Sequence, residues 1–309
     1  MPTPSPTEDC ERLRKAFEGW GANEKLIIEI LGHRTAAQRA LIRQTYTQLY
    51  EEDLLKRLES EASRNFERAV LLWVLDPADR DALLAHEAIK KWSPKNTSLL
   101  EITCARSSTE LWMVRQAYHN RYKKSIEEDI ASHIHGDFRK LLVALVCSYR
   151  YEGPEVDMRI AKSEAKQLHE AIQDKAFNHE EIIRIISTRS KAQLNATFNH
   201  YKDEYGHHIN KALKDKTLEE FQDALRIVIK CICCPEKHFA KVSRLSIDKL
   251  GTDEEGLTRV VVTRAEIDMK GIKEQYFKRT SKTLEHAIAA DISGDYQDFM
   301  LTLIGHGQA

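Results

Sequence analysis

The chain has 309 residues, 42% of them hydrophobic, and its 47 Lys and Arg nearly balance 48 Asp and Glu, leaving a formal net charge of −1. That length suffices for a sizeable core, and the charge balance excludes the global basic footprint of a nucleic-acid binder, so attraction to an anionic surface needs a bridging cation. The longest apolar runs, Ala69 to Leu75 and Leu141 to Cys147, are seven residues, against the roughly 20 that span a bilayer.

Only 12 Gly and 7 Pro are present, and apolar residues recur at helical spacing, which predicts an all-α protein. The segment Met1 to Asp9 has neither a basic n-region nor an apolar h-region; the expected compartment is the cytosol. Six cysteines without disulfide-framework spacing fit reduced thiols there.

In chain order, Ser5-Pro6-Thr7-Glu8 supplies an N-cap, a proline at the first helical position and an acid at N3, predicting a helix to about Phe17. Gly19-Trp20-Gly21 stops it. Asn23 caps a second helix with Leu26, Ile27, Ile30 and Leu31 on one face, ending near Arg34. Capping boxes then open new helices at Thr35 with Gln38, Ser107 with Glu110 and Ser190 with Gln193, whereas Ala265 leaves the fourth such helix more weakly capped.

These starts belong to a fourfold repeat. An Arg, a Tyr 12 residues later and an aromatic 32 residues after the Arg recur as Arg34, Tyr46, Phe66; Arg106, Tyr118, Phe138; Arg189, Tyr201, Phe221; and Arg264, Tyr276, Tyr296. Each aromatic opens an apolar stripe at +3, +4 and +7, as in Phe66, Ala69, Val70 and Trp73, which reads as helix core. The copies start 72, 83 and 75 residues apart, and the longer interval places a connector near Tyr151 to Asp157. The expected division is a tail at 1–10, repeats at 11–82, 83–154, 166–237 and 238–309, and a connector at 155–165.

The copies differ in chemistry. At 13 residues before the repeated Arg stand Gly21, Ser93, Ala176 and Gly251, and at 27 after it Glu61, His133, Lys216 and Asp291. Glycine and carboxylate are present together in copies one and four and absent together in two and three. Read alone, Gly19-Trp20-Gly21 is a helix-stop turn and Glu61 a surface acid; their joint gain or loss favours a divalent-cation site built from two loops. In copy one, Phe17, Gly19 and Gly21 can aim alternate carbonyls at one point, with Glu61 closing an oxygen-ligand shell of the kind calcium takes. No stretch has the spacing of an EF-hand loop.

With Phe17-Glu-Gly19-Trp-Gly21, Leu250-Gly251-Thr252-Asp253-Glu254 and Ser293-Gly294-Asp295-Tyr296 after Asp291, the chain resembles an annexin from about residue 8 to 307. Gly136-Asp137-Phe138, the short N-terminal tail and the ending Ile304-Gly305-His306-Gly307 resemble a plant annexin in particular. The resemblance implies four repeats of about five helices in a slightly curved disc, and calcium-dependent attachment of its convex face to anionic phospholipid membranes. It also implies the ligands: calcium held by the carbonyls of Phe17, Gly19 and Gly21 with Glu61, and by those of Ile247, Lys249 and Gly251 with Asp291. Lys249 stands where the family's first loop glycine would be, which weakens the fourth site, and copies two and three are expected to bind no calcium. Trp20, at the loop tip between the two glycines, is expected to touch the bilayer, since indole favours the interface.

Weaker signals point to rival readings, and no catalytic residue is assigned. His33 matches a histidine discussed as a haem or peroxidase ligand in plant annexins, although a lone histidine at a helix end is more often a cap or solvated. Cys104 and Cys231 match a redox pair of that family but read first as small core residues; Cys231-Ile-Cys233-Cys234 lacks a second cluster at zinc spacing. Asp268-Met-Lys-Gly271 fits a nucleotide-binding pattern, yet Gly251 to Gly256 is followed by Leu257-Thr258 where a phosphate loop needs Lys and Ser or Thr. Ile183-Arg184-Ile185 matches a tripeptide linked to F-actin in plant annexins and also reads as helix core. A nucleotide hydrolase or peroxidase, and an oligomer on membranes forming a cation pathway, are the alternatives to peripheral calcium and lipid binding.

Overall fold

A computed structural model describes residues 5–18, 22–61, 64–91, 97–147, 149–173, 179–214, 220–247 and 251–305, without the side chains of Glu61 and His179. Among these residues lie twenty helices and no strand, five helices to each copy of the repeat. The first copy holds α1 (Pro6–Ala16), α2 (Glu24–Leu31), α3 (Ala36–Tyr50), α4 (Leu54–Glu61) and α5 (Asn65–Val74). The second holds α6 (Pro77–Lys90), α7 (Ser98–Ala105), α8 (Ser108–Tyr122), α9 (Ile126–His133) and α10 (Gly136–Cys147). The third holds α11 (Met158–Gln173), α12 (His179–Thr188), α13 (Lys191–Tyr205), α14 (Ile209–Lys214) and α15 (Glu220–Cys233). The fourth holds α16 (Pro235–Ile247), α17 (Glu254–Arg264), α18 (Met269–Thr280), α19 (Leu284–Asp291) and α20 (Gly294–Ile304).

Local chemistry starts these helices where the spacing predicts. Ser5 accepts from the Glu8 N–H while Glu8 accepts from the Ser5 N–H at 2.7 Å, with Pro6 at N1. Reciprocal boxes form at Thr35 with Gln38 and at Ser107 with Glu110. The third box is only half made: Ser190 accepts from the Gln193 N–H, but the Gln193 amide binds both backbone groups of Asp157, at 2.8 and 2.9 Å, and anchors the start of α11 instead. In copy four Asp268 precedes α18 without a side-chain cap, because its carboxylate is engaged by Arg264.

The chain forms two compact units, residues 1–80 with 236–309, and residues 81–235. The first therefore unites repeats 1 and 4. Within it α5 packs on α17 and α20, and α2 packs on α20. Gly32 permits the latter approach, since a Cβ there would lie 2.9 Å from Thr302 Cγ2. Trp73 is fully buried, donates its indole N–H to the Leu31 carbonyl at 2.9 Å and carries the Arg39 guanidinium 3.7 Å from its ring centroid. Arg39 in turn pairs with Glu266 at 2.8 Å, joining repeat 1 to repeat 4.

The second unit unites repeats 2 and 3, with α7 and α10 packed on α15 and α10 on α12. Arg150 donates to the carbonyls of Arg189 and Ile186, closing the end of α12. In all four copies the aromatic stripes are buried, from Phe66 through Trp73 to Tyr296 through Leu303.

The repeated Arg has a partner the spacing comparison did not single out. Arg34 binds Asp9 at 2.7 and 2.8 Å, Arg106 binds Asp81 at 2.5 and 3.1 Å, and Arg189 binds Glu164 at 2.8 Å, each an acid 25 residues earlier. In copy four that position is Phe239; Arg264 lies over its ring at 4.5 Å and turns to Asp268 at 2.8 and 2.5 Å.

Candidate cation sites

The fourth repeat shows how loop and carboxylate meet. Helix α16 ends at Ile247, and the loop returns so that the Asp253 N–H donates to the Ser246 carbonyl at 2.9 Å. Gly251 sits at φ +88°, a conformation that strains residues with a Cβ. Asp253 then caps α17 by accepting from the Gly256 N–H at 2.9 Å. Across from it, Asp291 closes α19, and its Oδ2 accepts from the Thr252 hydroxyl at 2.5 Å. That bond brings together two segments 39 residues apart. The supporting frame is polar and satisfied: Tyr296 donates to the Glu254 carbonyl at 3.0 Å, and the Gln297 amide donates to the Ile292 carbonyl at 2.6 Å.

Repeat 1 has the same neck. The Asn23 N–H donates to the Ala16 carbonyl at 2.8 Å, and Asn23 caps α2 by accepting from the Leu26 N–H at 3.1 Å. Phe17 is the C-cap of α1, so its carbonyl is one of the acceptors a helix end leaves open. Arg57 reaches it, with Nη2 3.4 Å from the Phe17 oxygen and its guanidinium 5.8 Å from the ring centroid. Arg57 precedes Glu61 by four residues on α4, a spacing that puts both on one helix face; that was the available sequence signal for it. Thr252 had no comparable signal. Gly19, Trp20, Gly21, Lys249, Lys216 and the Glu61 side chain lie outside the described residues.

In repeat 2 the carboxylate position is His133. Its Nδ1 lies 2.9 Å from the Asp129 carbonyl and its Nε2 3.1 Å from the Lys90 ammonium, which presents a cation where copy four presents a carboxylate. Nearby, Asp129 is buried and accepts from the Tyr118 hydroxyl at 2.5 Å. Burial works to raise the Asp129 carboxyl; the Tyr118 hydrogen bond and the charges of Lys90, Lys124 and His133 outweigh it and hold the group below the usual carboxylate range.

Among the described residues no three His, Cys, Asp or Glu side chains converge as a metal-holding group. A cation in this frame would rest on backbone carbonyls with a single carboxylate, a hard oxygen set. Repeat 4 fits it, with Gly251 left-handed and Asp291 already held against the loop.

The weaker motifs are placed as follows. His33 is exposed at the end of α2. Cys104 and Cys231 are buried, and burial pushes the Cys104 thiol up to about 11, which keeps it protonated near neutrality. Asp268 is committed to Arg264. Ile183 and Ile185 are buried, so the tripeptide offers only Arg184, itself paired with Glu181 at 2.6 Å. No helix among the described residues is long and apolar enough to cross a membrane.

Comparison with known proteins places this frame. The annexin family model matches four times, at residues 8–73, 80–145, 163–228 and 238–303. Annexin D2 of Arabidopsis thaliana is 58% identical over 99% of this chain and 97% of that protein, and annexin Gh1 of Gossypium hirsutum is 60% identical over 98% and 96%. Among solved structures, annexin III superposes with a TM-score of 0.93 at 33% identity, covering 99% of this chain and 95% of that one, and calcium-bound annexin (Sm)1 with 0.84 at 28%, covering 97% and 90%. Four matched repeats of five helices each, over nearly the whole chain, make this protein a member of the annexin family.

Proposed function

We propose that this annexin attaches peripherally to anionic phospholipid membranes through calcium held in repeats 1 and 4, cytosolic at rest and recruited when calcium rises. The observation that carries the reading is the Thr252–Asp291 contact, which joins a left-handed glycine loop to the carboxylate 40 residues on from Gly251. The ligands are the carbonyls of Phe17, Gly19 and Gly21 with Glu61, and those of Ile247, Lys249 and Gly251 with Asp291. Repeats 2 and 3, with His133 and Lys216 in place of the acid, hold none. The calcium-bound state of annexin (Sm)1 supports the choice of ion. F-actin binding through Ile183 to Ile185 would rest on Arg184 alone; of the candidates for an enzymatic reading, Asp268 is paired with Arg264 and His33 stands exposed at the end of α2.

Co-sedimentation with phosphatidylserine vesicles tests this. Binding should require calcium and vanish in EDTA; equal binding in both sinks the reading. Glu61→Gln should weaken it more than Asp291→Asn, because in the sequence Lys249 stands in the fourth loop where the repeat 1 site has its first loop glycine, Gly19. The proposal for repeat 1 as the stronger site fails if the two variants are equal or reversed.

Trp20 is proposed to enter the headgroup region when repeat 1 holds calcium. With Trp73, Trp92 and Trp112 changed to Phe, calcium and anionic vesicles should blue-shift Trp20 emission and allow quenching by shallow brominated lipids. An unshifted Trp20 on fully bound protein would show that the loop tip stays out of the bilayer.

A further inference from the structure

The near-neutral balance of the whole chain conceals a local reversal of charge in repeat 2. At 16 residues before the repeated Arg stand Glu18, Lys90, Gln173 and Asp248, and at 27 after it Glu61, His133, Lys216 and Asp291. Copies one and four carry an acid at both positions, copy three an amide and a base, and copy two a base at both.

In repeat 2 the fold brings this basic pair into contact. Lys90 is the last residue of α6 and His133 the last of α9, and the Lys90 Nζ lies 3.1 Å from the His133 Nε2. The corresponding helix ends in repeat 4, those of α16 and α19, frame the loop that Asp291 closes. The same meeting point is thus acidic in one repeat and basic in the other.

The imidazole is fixed in direction. Its Nδ1 lies 2.9 Å from the Asp129 carbonyl, which only accepts, so Nδ1 carries the proton and Nε2 is the edge turned to Lys90. Lys90 is exposed, and among the described residues no carboxylate pairs with its ammonium. One of the three ammonium N–H groups serves Nε2, and two remain for another acceptor. Lys91 and His135, both exposed, flank the pair in sequence. Asp129, one turn behind His133 on α9, is 1% exposed and is answered by the Tyr118 hydroxyl at 2.5 Å, with the Lys124 ammonium 3.6 Å from its other oxygen.

We propose that the ends of α6 and α9 form a calcium-independent binding site for a phosphate monoester, with Lys90 and His133 donating to its oxygens. Such a group offers close to two negative charges and three acceptor oxygens, which suits two adjacent nitrogen donors and the stronger hydrogen bonds that charge gives them. The approaching dianion favours a proton on Nε2, which turns the imidazole from an acceptor into the second donor. Repeats 1 and 4, as proposed, meet phosphate through calcium, whereas repeat 2 meets it directly, so this site does not depend on theirs. The ligand is either a lipid headgroup that ends in a phosphate monoester, as in phosphatidic acid, or a small soluble phosphate monoester.

Co-sedimentation of the full chain in EDTA with phosphatidylcholine vesicles containing phosphatidic acid tests this. Vesicles brought to equal surface charge with phosphatidylserine, whose phosphate is a diester, control for general attraction and should bind little. Titration with glycerol 3-phosphate, followed by phosphorus NMR line broadening, tests the soluble ligand. Line broadening without vesicle binding assigns the site to a soluble ligand, and vesicle binding without line broadening assigns it to the headgroup. Lys90→Gln with His133→Asn should lower whichever affinity is found about tenfold or more, the effect of losing two charged hydrogen bonds, whereas Lys90→Arg should keep it. Far-UV circular dichroism checks that the variants fold; if the double variant does not, Lys90→Gln alone decides. Neither vesicle binding nor line broadening by the wild-type chain, equal binding to phosphatidylserine in EDTA, or an affinity unchanged in the deciding variant would each overturn the proposal. Loss of calcium-dependent binding to phosphatidylserine in the wild-type chain would instead overturn the role given to repeats 1 and 4.

Discussion

Asp81→Ala is expected to destabilise the protein by about 3–5 kcal/mol, the cost of leaving a buried charge without its partner. Asp81 is 1% exposed and holds Arg106, 8% exposed, through two hydrogen bonds. Remove the carboxylate, and the guanidinium must stay in a region with little water or tear the corner between α7 and α8 open. Asp9→Ala should act likewise through Arg34. Asp268→Ala should cost less, since its side chain is 16% exposed and Arg264 keeps the Phe239 ring. Urea unfolding followed by far-UV circular dichroism measures the difference. Replacing both members, as in Asp81→Leu with Arg106→Met, should recover most of the loss, because a well-packed apolar pair avoids desolvating two ions. A single-variant loss under about 1 kcal/mol, the range of surface pairs, would mean that water reaches the site.

The second large effect is functional. Glu61→Gln with Asp291→Asn should raise the calcium needed for half-maximal vesicle binding on the order of a hundredfold, because each site would lose its only charged ligand and calcium affinity follows ligand charge. Melting temperature in EDTA should hold steady or rise slightly, since calcium-free Asp291 is an exposed acid outside the buried ion pairs. Binding at the wild-type calcium concentration would place the attachment elsewhere in the chain.

What the amino-acid sequence determined alone is what depends on residues within a turn or two. The Ser5–Glu8, Thr35–Gln38 and Ser107–Glu110 boxes need only neighbours three apart, and the stripe from Phe66 to Trp73 needs only the helical period. The fourfold repeat was legible for the same reason, as each copy restates these local signals. Choices among partners far apart in the chain belonged to the tertiary structure. Ser190 and Gln193 have the spacing of a box, yet Asp157, 36 residues away, takes the Gln193 amide. Glu51, Lys123 and Ser281 end α3, α8 and α18 in the left-handed region with φ of 52°, 55° and 58°, where only repeat 3 supplies a glycine, Gly206. No local preference selects them; each donates its backbone N–H to the carbonyl four residues earlier, closing the helix. In repeat 4 the joint presence of Gly251 and Asp291 was legible as a pairing of two loops, but the roles of Thr252 and Arg57 were not. Each acquires its role from an approach between segments 39 and 40 residues apart, and a side chain's hydrogen-bonding capacity does not say which of many distant partners the packed fold will bring into reach.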